Sequence, residues 1–121
     1  MPATISAQIK AMYDDQGRVN AEAVAEGLGV STTTIARAFG LKPDTLRKNP
    51  VAESIQEPGQ RLVALLEELT SYFDNDLKSA MIWMRRPHPD LEDVSPLKAM
   101  EEGGLDVVES LVHAIGTGQL T

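Results

Sequence analysis

Within the first half of this 121-residue chain, cationic side chains are concentrated in one short part. Between residues 31 and 49, four cations face a single acid, namely Arg37, Lys42, Arg47 and Lys48 against Asp44. This window has a local charge of +3, whereas the whole chain has a net charge of −7. Contacts from lysine and arginine to phosphates supply most of the affinity for nucleic acids. We therefore predict a DNA contact in this window.

The residue types that most enzymes use are scarce. There is no cysteine, which excludes disulfides, thiolate nucleophiles and sulfur-ligated metal sites. The two histidines are too few for a histidine-rich metal centre. No glycine-rich phosphate loop, nucleophile motif or pair of catalytic carboxylates is evident. We therefore expect no enzymatic activity, no cofactor and no metal.

The apolar residues recur every three or four positions, which predicts an all-α fold. Expected helices lie near residues 5–13, 21–28, 32–39, 43–48, 61–73, 76–84, 96–100 and 105–115. Pro50, Pro58 and Gly59 indicate a connector between them. We predict a tri-helical N-terminal unit over residues 1–50, a linker over 51–60 and a C-terminal helical domain over 61–121.

A repeat at an offset of 11 residues is the strongest functional pattern. Ala25, Gly29, Thr34 and Ile35 correspond to Ala36, Gly40, Thr45 and Leu46, in that order. Small alanines let two helices approach, and glycine adopts the left-handed conformation of a sharp turn. The pattern predicts two overlapping helix-turn-helix motifs.

Either the third or the fourth helix could enter DNA. The later helix would offer Asp44, Thr45, Arg47 and Lys48, flanked by Arg37 and Lys42. The earlier helix would offer Thr32, Thr33, Thr34 and Arg37. We favour the later helix because positive charge is concentrated there.

The two halves of the chain differ in charge. Residues 1–60 carry −1 and residues 61–121 carry −6. No apolar run approaches the roughly 18 residues that would suggest a bilayer span, and no signal pattern opens the chain. A cytoplasmic location is expected.

Residues 61–118 resemble the toxin-binding domain of the Xre/MbcA/ParS-type antitoxins. In that family a leucine-rich helix is followed by a tryptophan-containing helix, a Pro-Asn-Pro segment, a Thr-Pro-Leu helix start, a glycine and a final helix. The counterparts here are Leu62 to Phe73, Ala80 with Trp83, Pro87-His88-Pro89 with Leu91, Ser95-Pro96-Leu97 with Met100, Gly103, and Val107 to Ile115 followed by Gly118. The family places a helix-turn-helix upstream, so the resemblance covers about residues 20–121. His88 stands where the family has Asn, and the usual Gly near Glu92-Asp93 is missing.

The resemblance implies a partner, namely a RES-domain or ParT-like toxin that consumes NAD. It also implies that the antitoxin covers the active site of the toxin and represses its own operon. The implied toxin contacts are Arg85, Arg86, His88 and the tail residues Gly118, Gln119 and Leu120. An acidic C-terminal half would favour docking to a cationic dinucleotide cleft.

Other interpretations remain open at the level of sequence. Arg85 or Arg86 could instead cap the last carbonyl groups of the helix, where cations are favoured. We expect Trp83 in the core, and an apolar face of Leu65, Leu69, Phe73, Val108 and Leu111 for a homodimer or higher oligomer. The alternatives to an antitoxin are a stand-alone helix-turn-helix regulator and a protein-binding adaptor.

Overall fold

The computed structural model describes residues 7–118, and helices are the main regular structure there. Eight α-helices follow one another within this described range: α1 Ala7–Lys10, α2 Ala21–Leu28, α3 Thr32–Phe39, α4 Pro43–Lys48, α5 Glu53–Ser71, α6 Leu77–Arg85, α7 Pro96–Glu101 and α8 Leu105–Gly116. A short 3₁₀ helix, Pro89–Leu91, lies between α6 and α7. Within the described range the β pairing is limited to two isolated bridges, Tyr13 with Val19 and His88 with Val94. The all-α prediction is confirmed, and none of these helices is long and apolar enough to cross a membrane.

Local capping signals set the ends of the N-terminal helices where the sequence predicts them. The side chain of Asn20 accepts a hydrogen bond from the N–H of Ala23 at the start of α2. Ser31 caps α3 in the same way, by accepting from the N–H of Thr34. These contacts satisfy donors that have no partner in the first turn of a helix.

The predicted linker over residues 51–60 is wrong for most of its length, because α5 runs unbroken from Glu53 to Ser71. Pro58 lies inside α5. A proline inside a helix removes one backbone hydrogen bond. Helix α5 continues through Pro58 because Gln56 and Gly59, on either side of it, pack against Val19. Gly59 is buried, and a Cβ there would lie 2.9 Å from Cγ1 of Val19. The glycine therefore allows close packing of α5 rather than forming a turn.

Gln56 fixes the first turns of α5 to the segment that precedes α2. Its Oε1 accepts from the N–H of Val19 at 2.8 Å, and its Nε2 donates to the carbonyl of Val19 at 3.0 Å. Further acceptors for Nε2 are the carbonyls of Val51 and Ala52. Gln56 is 8% exposed and Val19 is fully buried, so this network replaces water at buried backbone groups.

A single core connects the N-terminal and C-terminal helices. Helix α3 packs against α7 as well as against α2, α4 and α5. Buried residues from all these helices join one hydrophobic cluster, including Leu28, Ile35, Leu46, Leu66 and Met100. The predicted DNA-binding unit and the C-terminal domain therefore share a packed interface.

The apolar face predicted for self-association lies largely within one chain. Leu65, Leu69, Val108 and Leu111 are buried in the single chain, and Phe73 packs against the core. The recurrence of apolar residues every three or four positions correctly predicts that these side chains are buried. It does not show whether they are buried against a neighbouring helix or against a second copy of the chain. A homodimer or higher oligomer stays a prediction, and this apolar face no longer supports it.

Candidate functional site

The sequence repeat corresponds to two matching turns between helices. Gly29 follows α2 with φ 68° and ψ 35°, and Gly40 follows α3 with φ 71° and ψ 27°. The N–H of Val30 donates to the carbonyl of Ala25 at 2.9 Å, and that of Leu41 donates to Ala36 at 2.8 Å. Both are left-handed glycine C-caps with the same hydrogen bond. The α2–α3 and α3–α4 pairs thus have the turn geometry predicted for overlapping helix-turn-helix motifs.

Exposure differs between the two candidate recognition helices. On and beside α4, the side chains of Lys42, Asp44, Arg47 and Lys48 are exposed, and Thr45 is half-buried. Helix α3 lies among four other helices, and its three threonines, Thr32 to Thr34, are half-buried as Thr45 is. Arg37 is exposed near the end of α3. This arrangement leaves α4 more accessible to a duplex than α3.

The charge of α4 is partly compensated within the helix. Arg47 forms an ion pair with Asp44 one turn earlier. Arg37, Lys42 and Lys48 form no ion pair with any residue of the range 7–118. Leu46 is fully buried and anchors α4 on α3. The surface therefore presents three unpaired cations around one ion-paired arginine.

Arg85 lies at the junction between the two halves. Its guanidinium donates to the carbonyl of Leu28, the last residue of α2, at 2.6 Å. A Cβ added at Gly29 would be 3.2 Å from the same nitrogen. Of the two roles considered for Arg85, capping is therefore the one observed, although the capped helix is α2 rather than α6. Arg86 is exposed and remains available to a partner.

His88 is held within its loop by hydrogen bonds and by a contact with the ring of Trp83. Its Nδ1 accepts from the N–H of Asp90 at 3.2 Å, and its ring lies edge-on to Trp83 with 6.0 Å between centroids. The backbone bonds His88 N–H to Val94 O and Asp93 N–H to His88 O close the loop. Trp83 is half-buried and packs against the core, so it is less enclosed than the sequence predicts.

Of the three predicted tail contacts, the structure describes only Gly118. Gly118 is exposed and has φ 75°. Gln119 and Leu120 lie outside the described residues. Nearby, Gly116 packs under the ring of Tyr72, whose hydroxyl donates to Glu68 at 2.7 Å. The start of the tail is thus placed beside the end of α5.

Neither predicted surface provides a metal site. Within the range 7–118, no group of three or more histidine or carboxylate side chains is arranged to hold a metal ion. The candidate residues are mostly cations, on α3, on α4 and at the end of α6, together with a histidine in a loop. Sequence reasoning missed the contacts of Gln56 and did not predict that Arg85 caps α2, because both side chains bind backbone groups that are distant along the chain.

Comparison with known proteins assigns the C-terminal part. Residues 68–118 match the family model described as the antitoxin Xre/MbcA/ParS C-terminal toxin-binding domain. No curated protein and no solved structure matches the chain. The match runs from the last turn of α5 to the end of α8, so this part of the chain is similar to the toxin-binding domain of that antitoxin family. The resemblance found in the sequence is confirmed over residues 68–118, and an antitoxin role is supported.

Proposed function

We propose that this protein is the antitoxin of a type II toxin–antitoxin module. It binds and occludes a RES-domain or ParT-like toxin that consumes NAD, and it represses its own operon by binding DNA. The match of residues 68–118 to an antitoxin toxin-binding domain carries the proposal. In this scheme the chain is a cytoplasmic binding protein, not an enzyme, and it acts as a homodimer or higher oligomer.

Charge supports the toxin-binding half of the proposal. Residues 61–121 carry a charge of −6, which suits a cleft that is cationic because it binds the phosphates of a dinucleotide. Complementary charge mainly speeds encounter and excludes wrong partners. The exposed Arg86, the His88 loop and the tail from Gly118 to Leu120 are the proposed contacts. Arg85 would act by holding the α6 end of this surface against α2.

Geometry supports the DNA-binding half. Two glycine turns between helices precede residues 68–118, at Gly29 and Gly40. The exposed cations Arg47 and Lys48 lie on α4, and Lys42 lies directly before it. Asp44 and Thr45 would lie nearest the base edges at the start of α4, with Arg37 on the flanking phosphates. A symmetric operator would require two copies of the chain, one for each half-site.

Co-expression with the product of the adjacent reading frame tests the proposal. We expect the two proteins to copurify, and the antitoxin to restore both growth and cellular NAD when the toxin is induced. Ending the chain after Ile115 should reduce neutralisation more than folding, because terminal segments contribute little to a core. Copurification without restored NAD would instead favour the adaptor interpretation. DNA binding without any interaction with the neighbouring product would favour a stand-alone regulator.

A further inference from the structure

A groove lies between the loop after the 3₁₀ helix and the junction of α7 with α8. Its volume is about 490 Å³, and Leu91, Val94, Ala99 and Val107 supply its apolar lining. Val107 is 50% exposed and is, with Tyr72 and Ile82, one of three large apolar side chains left exposed in the range 7–118. The other large apolar residues at the start of α8, Leu105 and Val108, are buried. Val107 therefore belongs to the groove and not to the core.

Carboxylates surround this apolar lining. Four of them border the groove, namely Asp90, Glu92, Glu102 and Asp106. All four are exposed. Glu92 and Glu102 form no ion pair with any described residue, whereas Asp106 interacts with Arg61 and Asp90 lies 3.9 Å from His88. At least two negative charges on the rim are therefore uncompensated within the chain.

We propose that this groove docks a cationic segment of the toxin, with an arginine or lysine side chain lying along Val107. Such a side chain has an aliphatic stem that packs on an apolar wall and a charged end that stays at the rim. The groove of this chain offers both features, since Leu91 and Val107 are among its apolar lining residues and Glu92 and Glu102 are among its carboxylates. It lies entirely within the matched residues 68–118. This inference rests on the proposed antitoxin function and adds a second contact surface, separate from the predicted tail.

Charge favours a basic segment of the toxin over two other occupants, a nucleic acid and a second copy of the chain. A nucleic acid would be repelled by the four carboxylates. A second copy carries a net charge of −7, and its two cationic windows, residues 31–49 and 77–89, hold the residues proposed above for DNA and for the toxin. A basic segment of the toxin meets neither objection.

Affinity for the neighbouring toxin, measured with the full chain at low and high salt, tests the groove. The variant Glu92→Gln/Glu102→Gln removes two rim charges and keeps their shape. The variant Glu22→Gln/Glu26→Gln changes net charge equally on the exposed face of α2, outside the matched domain. We expect the groove variant to bind about tenfold more weakly and with a flatter salt dependence, and the control to stay within about twofold of wild type.

A third variant, Val107→Ser, tests the apolar wall. It should weaken binding about fivefold without changing the salt dependence, because it removes apolar area and no charge. Val107→Thr, which keeps the branched shape, serves the same purpose if the serine variant lowers the melting temperature. Wild-type affinity in all groove variants, or equal losses in the α2 control, would overturn the groove while leaving the antitoxin function intact. Failure of the wild-type chain to bind the toxin would instead refute the proposed function and the groove together. Concentration-dependent dimerisation lost only in the groove variants would assign the groove to a second copy.

Discussion

Replacing Gln56 by leucine should destabilise the whole protein although it leaves the size of the side chain nearly unchanged. Gln56 lies in the first turns of α5, a segment whose Pro58 and Gly59 would otherwise favour a loop. Its amide makes two hydrogen bonds to the backbone of Val19, at 2.8 and 3.0 Å, in a fully buried environment. Leucine would keep the packing but leave the N–H and the carbonyl of Val19 without partners.

The size of the effect follows from those two groups. Each buried polar group left unpaired costs about 1–3 kcal/mol. The apolar leucine recovers a part of this by burial, so we expect a net loss of about 3 kcal/mol. For a chain of this size that loss lowers the melting temperature by roughly 10–15 °C.

Chemical denaturation followed by circular dichroism and by Trp83 fluorescence measures this loss. Gln60→Leu is the matched control, since Gln60 is exposed on the same helix. Trp83 is the only tryptophan and lies in the C-terminal part, whereas Gln56 binds the segment before α2. Both probes should therefore report one shared transition that shifts in Gln56→Leu. A free energy of unfolding within about 0.5 kcal/mol of the Gln60→Leu control would refute the reasoning.

Three further predictions concern the candidate surfaces and the junction between them. Arg47→Ala/Lys48→Ala should weaken operator binding and reduce the slope of log affinity against log salt by about 2, with toxin affinity unchanged. If the slope is unchanged and Thr32→Ala/Thr33→Ala weakens operator binding instead, the helix that reads DNA is α3. Arg85→Met should lower the free energy of unfolding by about 1.5–3 kcal/mol, because a charged donor is removed from the carbonyl of Leu28, whereas Arg86→Met on the exposed side should change it little. Acid should destabilise the protein through Asp14 and Asp76: the N–H of Arg18 lowers the pKa of Asp14, and the hydroxyl of Ser79 lowers the pKa of Asp76. The contribution of these two carboxylates to stability is present above their ordinary pKa of 3.8 and is lost as the pH falls through their lowered pKa values in the folded state. Asp14→Asn/Asp76→Asn should therefore flatten the fall in melting temperature below about pH 4.

Features that depend on neighbouring residues could be predicted from the sequence. The caps at Asn20 and Ser31 and the left-handed turns at Gly29 and Gly40 involve contacts within five residues. The same is true of α4, which begins at Pro43. Local hydrogen bonds and backbone preferences decide these boundaries, so residue type alone was informative.

The features that were missed depend on contacts between distant residues. Gln56 and Val19 are 37 positions apart, and Arg85 and Leu28 are 57 apart. Pro58 and Gly59 therefore look like a linker when only their neighbours are considered. The groove is likewise assembled from two segments, around Leu91 and around Glu102 to Val107. One signal was available for it, because Val107 is a large apolar residue off the buried stripe of α8.

The shared core determines how variants of the two activities should combine. Helix α3 supports α4 on one side and packs against α7 on the other, and Arg85 joins the end of α6 to the end of α2. A core variant such as Gln56→Leu should therefore reduce DNA and toxin binding together, in proportion to the unfolded fraction. Surface variants should separate the two proposed activities, since we expect Arg47→Ala/Lys48→Ala to weaken only DNA binding and Glu92→Gln/Glu102→Gln to weaken only toxin binding. Two independently folding domains joined by a linker would give the opposite result for the core variant, with toxin binding preserved.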